Sequence, residues 1–198
     1  MVPRHAGKLA LWALLAVPAA LILHEHWTSP DLWPGDFLPA TGEWSARLII
    51  AALMLTPLQQ LLPRSSAVRW LVRHRRAIGV AAFAYALLHL AFYVLDMKTL
   101  ANMLAELGAP SIWTGWLALL FLLPPALTSN DAAVRALRGA WKRLQRLAHP
   151  AAVLTLIHWV LVHDGMVEAI LHFLPLALLQ IARLARIFTL IPAERKIA

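Results

Sequence analysis

The chain is 198 residues long, 61% hydrophobic and 14% charged, with a mean hydropathy of +0.67, and a domain of that length cannot bury so much apolar surface in one water-soluble core. A soluble enzyme is thereby excluded and an integral membrane protein expected. With no cysteine, disulfides, thiolate metal sites, iron–sulfur clusters and the Cys-x-x-Cys-His linkage of covalent heme are excluded as well, so metal chemistry must use His or carboxylates.

Apolar runs occur at roughly Leu9–Leu23, Ala46–Leu62, Ala77–Leu95, Ile112–Leu127, Ala151–Val162 and Ala169–Ala185, most of them near the ~20 residues a helix needs to cross the hydrocarbon. The fold expected is an all-α integral membrane bundle of about six transmembrane helices, a single transmembrane domain over residues 1–198. The fifth run is short and must borrow residues from Leu144–Pro150. His24–Glu43, with Pro30, Pro34 and Pro39, reads as an outward-facing loop. The first run has a basic flank but no small-x-small cleavage site after it, so it reads as a retained span.

The net charge of +8 is laid down in blocks between the runs, with no aromatic-plus-basic module of the kind that binds nucleic acid. Arg4 and Lys8 precede the first span. Arg64, Arg69, Arg73, Arg75 and Arg76 separate the second from the third, and Arg135, Arg138, Lys142, Arg143 and Arg146 the fourth from the fifth. Arg186, Arg195 and Lys196 follow the sixth. The opposite segments hold Glu25, Asp31, Asp36, Asp96 and Asp164 and little basic beyond Lys98. The positive-inside rule puts the basic segments and both termini in the cytoplasm. No nucleotide-binding glycine loop and no internal repeat of convincing strength stands out.

Polar groups at membrane depth mark function, because burying them in lipid is costly. The census gives His89, His158 and His172 inside spans, with Gln180 and Arg183 on the last one. Counted back from the first outer acid, His89 lies 96 − 89 = 7 residues deep and His158 164 − 158 = 6, a difference of only ~1.5 Å of helical rise. Two imidazoles level on neighbouring helices suit opposite axial ligation of one heme iron, as in a b-type cytochrome. The alternative is two unrelated polar residues bonded to nearby backbone or hydroxyls. His74 falls at the cytoplasmic edge, and His24, His26 and His163 sit at outer helix ends; His172 stays open as a replacement ligand.

The runs TGEWSARLIIAALMLTPL, RRAIGVAAFAYALLHLAFY and LTSNDAAVRALRGAWKRLQRLAHPAAVLTLIHW resemble the heme-binding membrane subunits of the bacterial periplasmic methionine sulfoxide reductase system. That family, called MsrQ or YedZ, belongs to the ferric-reductase-like transmembrane group. The resemblance runs from about Thr41 to Trp159, with a core at about 41–165. It implies a multi-pass inner-membrane electron conduit carrying heme b and, in addition, FMN. Its donor would be the quinone pool or a cytoplasmic flavin reductase, and its acceptor a periplasmic molybdenum-containing methionine sulfoxide reductase catalytic subunit. No substrate chemistry of its own is expected. By motif position, His89 and His158 match the family's heme iron ligands. Where the family reads Trp-x-x-Leu-His at the start of the fifth span, this chain has Trp141 followed by LysArgLeuGln, so Gln145 stands in place of a further heme-associated histidine. His149, one turn later, is either a relocated heme ligand or a polar residue at the membrane edge before Pro150. One firmly bound heme per chain is expected. The reading from another class is a small multi-pass transporter or a cofactor-free structural subunit.

Overall fold

The computed structural model describes residues 4–163 and 166–190, and every regular element among them is helical; Asp164, Arg195 and Lys196, used above for topology, lie outside them. In chain order the long helices are α1 (Arg4–Thr28), α2 (Leu38–Leu61) and α3 (Ser66–Met97). The short α4 (Leu100–Glu106) leads to α5 (Pro110–Leu127), and the short α6 (Asp131–Leu137) and α7 (Gly139–Gln145) lead to α8 (Ala148–His163) and α9 (Met166–Leu190).

Local chemistry sets several of these starts. Ser65, Thr99 and Asn130 cap α3, α4 and α6, each side-chain oxygen accepting from the backbone N–H three residues on, which satisfies a donor that the first turn leaves open. Proline enters the first turn of α2 as Pro39 and of α5 as Pro110, where its missing N–H costs nothing. The expected loop His24–Glu43 is therefore much shorter. The helix α1 runs on to Thr28, a 3-10 turn fills Pro34–Phe37, and α2 is under way by Leu38.

Among the described residues, four helices are long and apolar enough to cross a membrane, with segments Ala6–Thr28, Ser66–Met97, Pro110–Leu127 and Met166–Ala185. The other two differ for physical reasons. Glu43, Arg47 and the pair Gln59–Gln60 dilute the apolar run of α2, and α8 has only 16 residues. Yet α2 is central to the bundle. Thr41, Ser45, Ala46, Ile49 and Leu55 on it are buried, and it packs most extensively against α3, then α9 and α8. Ala46 faces a core that includes Ala81 and Ala82, and the buried Ser45 hydroxyl donates to Ala82 O at 2.9 Å. Small residues with a polar cross-link are how helices approach closely in lipid. The second extensive pairing is α5 with α8.

The helix α1 is tied on differently. Pro18 interrupts it, and next to the break the Tyr85 hydroxyl inserts into the helical ladder. It accepts from Ala19 N and donates to Leu15 O, both at 2.8 Å, standing between a carbonyl and an N–H four residues apart.

Contacts between connecting segments sort the bundle into two ends. At one, Gly35 N–H donates to the Asp96 carboxylate at 3.1 Å and the Lys98 ammonium sits 4.7 Å above the Trp33 ring. A Cβ at position 35 would stand 2.8 Å from that carboxylate, so the approach requires glycine. At the other end Arg76 pairs with Asp131 at 2.7 Å. The Arg76 guanidinium, by hydrogen bond and charge, holds the Asp131 carboxyl below its ordinary range. The acidic connections thus share one end and the basic connections the other.

Candidate functional site

His89 lies on α3 against the first turn of α2. Its Nδ1 is 3.0 Å from Leu38 O and 3.3 Å from the Thr41 hydroxyl, and that buried hydroxyl spends its proton on Phe37 O and Leu38 O, at 2.8 and 3.1 Å. A carbonyl oxygen only accepts, so the imidazole proton belongs on Nδ1 and the lone pair on Nε2. His158 on α8 is held the same way, its Nδ1 2.7 Å from Ser111 O in the first turn of α5. Both rings present the same tautomer.

The structure brings these two imidazoles together, with ring centroids 6.1 Å apart and ring planes at 86°. They line a cavity of about 110 Å³ between α2, α3, α5 and α8, whose walls are otherwise mostly small or apolar, among them Gly42, Ser45, Ala86, Gly115 and Ala118. An imidazole nitrogen binds a first-row metal at about 2.0–2.1 Å, and with the ring centre about 1.1 Å behind that nitrogen, two imidazoles on opposite sides of one metal have centroids about 6.2 Å apart. The observed spacing fits that arrangement. Among the described residues no group of three or more His, Asp or Glu could cage a bare metal ion. Two imidazoles alone suit a metal whose other positions come from a macrocycle, and the residues present fit a heme.

The other histidines are placed differently. His172 on α9 has its Nδ1 2.8 Å from Glu168 O and its Nε2 3.4 Å from Arg47 Nε, and its ring lies 4.8 Å from that of Trp159. Both of its ring nitrogens are engaged away from the cavity. His149 is exposed, with Nδ1 3.2 Å from Arg146 O. His74 turns Nδ1 to Trp70 O and packs its ring on that indole. His26 packs edge-on against Phe37 and Phe92, and the His163 side chain lies outside the described set.

A second cavity, of about 480 Å³, opens at the basic end. Its apolar side is formed by Ile49, Leu53 and Leu122, and its polar side carries Arg75, Arg76, Lys142, Arg146 and Arg183 without a carboxylate. Of these cations Arg76 is compensated by Asp131 and Arg75 reaches the Thr56 hydroxyl at 3.4 Å. The buried Nε of Arg183 has no hydrogen-bond partner. Gln145 and His149 line the same cavity. The Gln145 amide donates to Pro125 O at 3.0 Å and to the Thr128 hydroxyl at 3.2 Å, so it closes the α5–α7 corner.

Arg47 on α2 is a further charged group within the bundle. In the structure it ion-pairs with Glu43 one turn before it, sits 5.4 Å from the Trp44 ring centre and meets His172. The signal available in sequence is the acid–base pair at i, i+4 on a span, a spacing that places the two side chains on one face.

Residues 41–162 match the family model described as ferric reductase like transmembrane component. Among curated proteins, the chain is 34% identical over 182 residues to the protein-methionine-sulfoxide reductase heme-binding subunit MsrQ of Xanthomonas euvesicatoria pv. vesicatoria, covering 84% of this chain and 80% of that one. It is 35% identical over 187 residues to the subunit of the same name from Xanthomonas campestris pv. campestris, covering 88% and 84%. The namesake from Azospira oryzae is 34% identical over 185 residues, covering 88% and 76%. No solved structure matches the chain.

Proposed function

Since the chain belongs to the MsrQ family of protein-methionine-sulfoxide reductase heme-binding subunits, within the ferric-reductase-like transmembrane proteins, we propose that it is a b-type cytochrome relaying electrons outward across the membrane. It is a multi-pass inner-membrane protein. The donor in this proposal is the quinone pool or a cytoplasmic flavin reductase, and the acceptor a periplasmic molybdenum-dependent methionine sulfoxide reductase that repairs oxidised periplasmic proteins. The helices α2 and α8 complete six crossings, the termini face the cytoplasm, and the basic end of the bundle is the cytoplasmic end.

The observation that carries this reading is the facing pair His89 and His158, each with Nδ1 tied to a backbone carbonyl and the two rings 6.1 Å apart. Heme, when bound there, supplies a one-electron couple without substrate chemistry. The protein's part is to fix both imidazoles in one tautomer, a hydrogen-bonding arrangement that also raises ligand basicity. It further lines the site mostly with small and apolar side chains.

One pair of ligands near the outer end leaves most of the ~30 Å of hydrocarbon to be bridged. His74 faces Trp70 and the place of the family's further histidine is taken by Gln145, so a second bis-histidine site has little support, and His149 remains a candidate only for a weakly held group. The cavity at the basic end suits an inner carrier with an anionic group and a flat apolar body. FMN meets that description through its phosphate, and a quinone through its ring alone; the cationic wall favours FMN.

A purified sample tests the reading. A Soret band that shifts on dithionite reduction is expected. A preparation that is colourless, and stays so after heme is supplied, would rule out the cytochrome. Deleting the gene should slow repair of methionine sulfoxide in periplasmic proteins, and an unaffected repair rate would assign the electrons to another acceptor.

A further inference from the structure

The two halves of the heme site are built from one local device used twice. In α2 the sequence Thr41-Gly42, and in α5 the sequence Thr114-Gly115, fall in the first turns after a proline-containing start. The Thr41 hydroxyl donates to the carbonyls of Phe37 and Leu38, four and three residues back. Thr114 does the same to Pro110 and Ser111, at 3.0 and 2.8 Å. In each half the carbonyl three residues before the threonine also takes the histidine Nδ1: Leu38 O for His89 and Ser111 O for His158. The glycine in each half supports the ring itself. A Cβ at Gly42 would stand 3.1 Å from His89 Nδ1 and 3.2 Å from its Cε1, and one at Gly115 would stand 3.0 Å from His158 Nδ1 and 2.9 Å from its Cε1. The same two ring atoms meet the same missing carbon in both halves.

Resting on the bis-histidine reading above, we infer that Gly42 and Gly115 are positioning residues for the two imidazoles, and that each forms with its preceding threonine and the carbonyl four residues back a duplicated cradle setting ring orientation and ligand strength. A glycine is required because any side chain would occupy the plane on which the imidazole lies. The imidazole ring is thereby held against the helix with Nδ1 on the carbonyl. The threonine hydroxyl shares that carbonyl's lone pairs, which limits how strongly the carbonyl pulls on the Nδ1 proton. Two cradles on two helix pairs leave the ring planes at 86°. Perpendicular axial imidazoles keep two iron d orbitals nearly degenerate, and low-spin ferric heme so held gives an electron paramagnetic resonance signal with one very large g value. Parallel rings give the ordinary rhombic signal.

The test uses the purified full-length chain in nanodiscs. Wild type is expected to show the large-g signal. Gly115→Ala and Gly42→Ala should keep the heme but move that signal toward the rhombic form and raise the midpoint potential, because pushing the ring off its carbonyl weakens the Nδ1 bond and the imidazole's donation to iron. Gly115→Ala should act more strongly, its contact being the tighter. Thr41→Val and Thr114→Val, which remove the hydroxyl, should shift the potential the opposite way by leaving the carbonyl to the histidine alone, most cleanly at Thr114, because the Thr41 hydroxyl itself lies 3.3 Å from His89 Nδ1. Gly108→Ala, with open space around its Cβ position, should change neither readout. If the alanine variants do not hold heme, the valine pair still decides. Wild-type signals and potentials in all four cradle variants, or equal shifts in Gly108→Ala, would overturn the inference while leaving the cytochrome intact. A wild-type chain without heme would instead remove the reading on which it rests.

Discussion

On the proposed assignment of FMN to the cavity at the basic end, replacing Arg183 with glutamine should weaken FMN binding while leaving the unliganded protein as stable as before or more so. Arg183 is partly buried on α9, and its Nε lies in the wall of the 480 Å³ cavity with no hydrogen-bond partner. Of the other cations there, Arg76 pairs with Asp131 and Arg75 reaches the Thr56 hydroxyl. A hydrogen bond to a charged group is worth about 1.5–3 kcal/mol. At about 1.4 kcal/mol per tenfold change, loss of the bond to the phosphate should raise Kd by about 10- to 150-fold. In the empty protein, the buried Nε–H without a hydrogen-bond partner costs stability, so Arg183→Gln should hold or raise the unfolding midpoint. The assay is quenching of flavin fluorescence on titration into protein in nanodiscs at fixed ionic strength, with riboflavin beside FMN. Riboflavin lacks the phosphate and should bind wild type and variant alike. An FMN Kd within twofold of wild type, or an equal loss for riboflavin, would refute the assignment of Arg183 as the phosphate contact.

Gln145→His should raise heme content from one toward two per chain by pyridine hemochrome assay, at the expense of the amide's bonds to Pro125 O and Thr128; no increase would mean that the cavity lacks an opposing ligand. Two hemes in wild type, one of them lost in His149→Ala, would instead make His149 the relocated ligand. Tyr85→Phe removes both bonds that splice α3 into α1 and should cost about 1 kcal/mol of stability, since intramembrane hydrogen bonds are individually modest. Unfolding in detergent measures it, and an unchanged midpoint would show that α1 closes its own ladder once the hydroxyl is gone.

The apolar runs were readable because a helix in lipid satisfies its own backbone and needs little but length and hydrophobicity. The fifth run was expected to draw on Leu144–Pro150, and α8 does begin at Ala148. The boundary of α2 was hidden because Pro39 reads as a breaker, yet the first helical turn tolerates proline. The matched depth of His89 and His158 was legible from helical rise, a property of the backbone independent of what surrounds it, but the 6.1 Å approach of the two rings depends on how the helices pack side by side. Arg47 was not legible. Its charge is met by Glu43, and its second partner, His172, is 125 residues away in the chain. The duplicated cradle was equally hidden, since only the dipeptide Thr-Gly repeats at 114 − 41 = 73 residues, far below what marks an internal repeat. The carbonyls that complete each cradle belong to a leucine and a serine, and backbone atoms leave no trace in residue identity.

The central claim, that His89 and His158 hold one heme between them, is tested most directly by heme content and ferric spectra of His89→Ala, His158→Ala and the double variant, purified alongside wild type and His172→Ala. Each single substitution should remove the same six-coordinate low-spin heme, because one imidazole cannot complete the axial pair. The double variant should then match either single variant, as residues acting in one unit do. His172→Ala should keep the wild-type spectrum, its ring nitrogens being engaged by Glu168 O and Arg47. A full bis-histidine spectrum in His158→Ala, together with its loss in His172→Ala, would contradict the pairing.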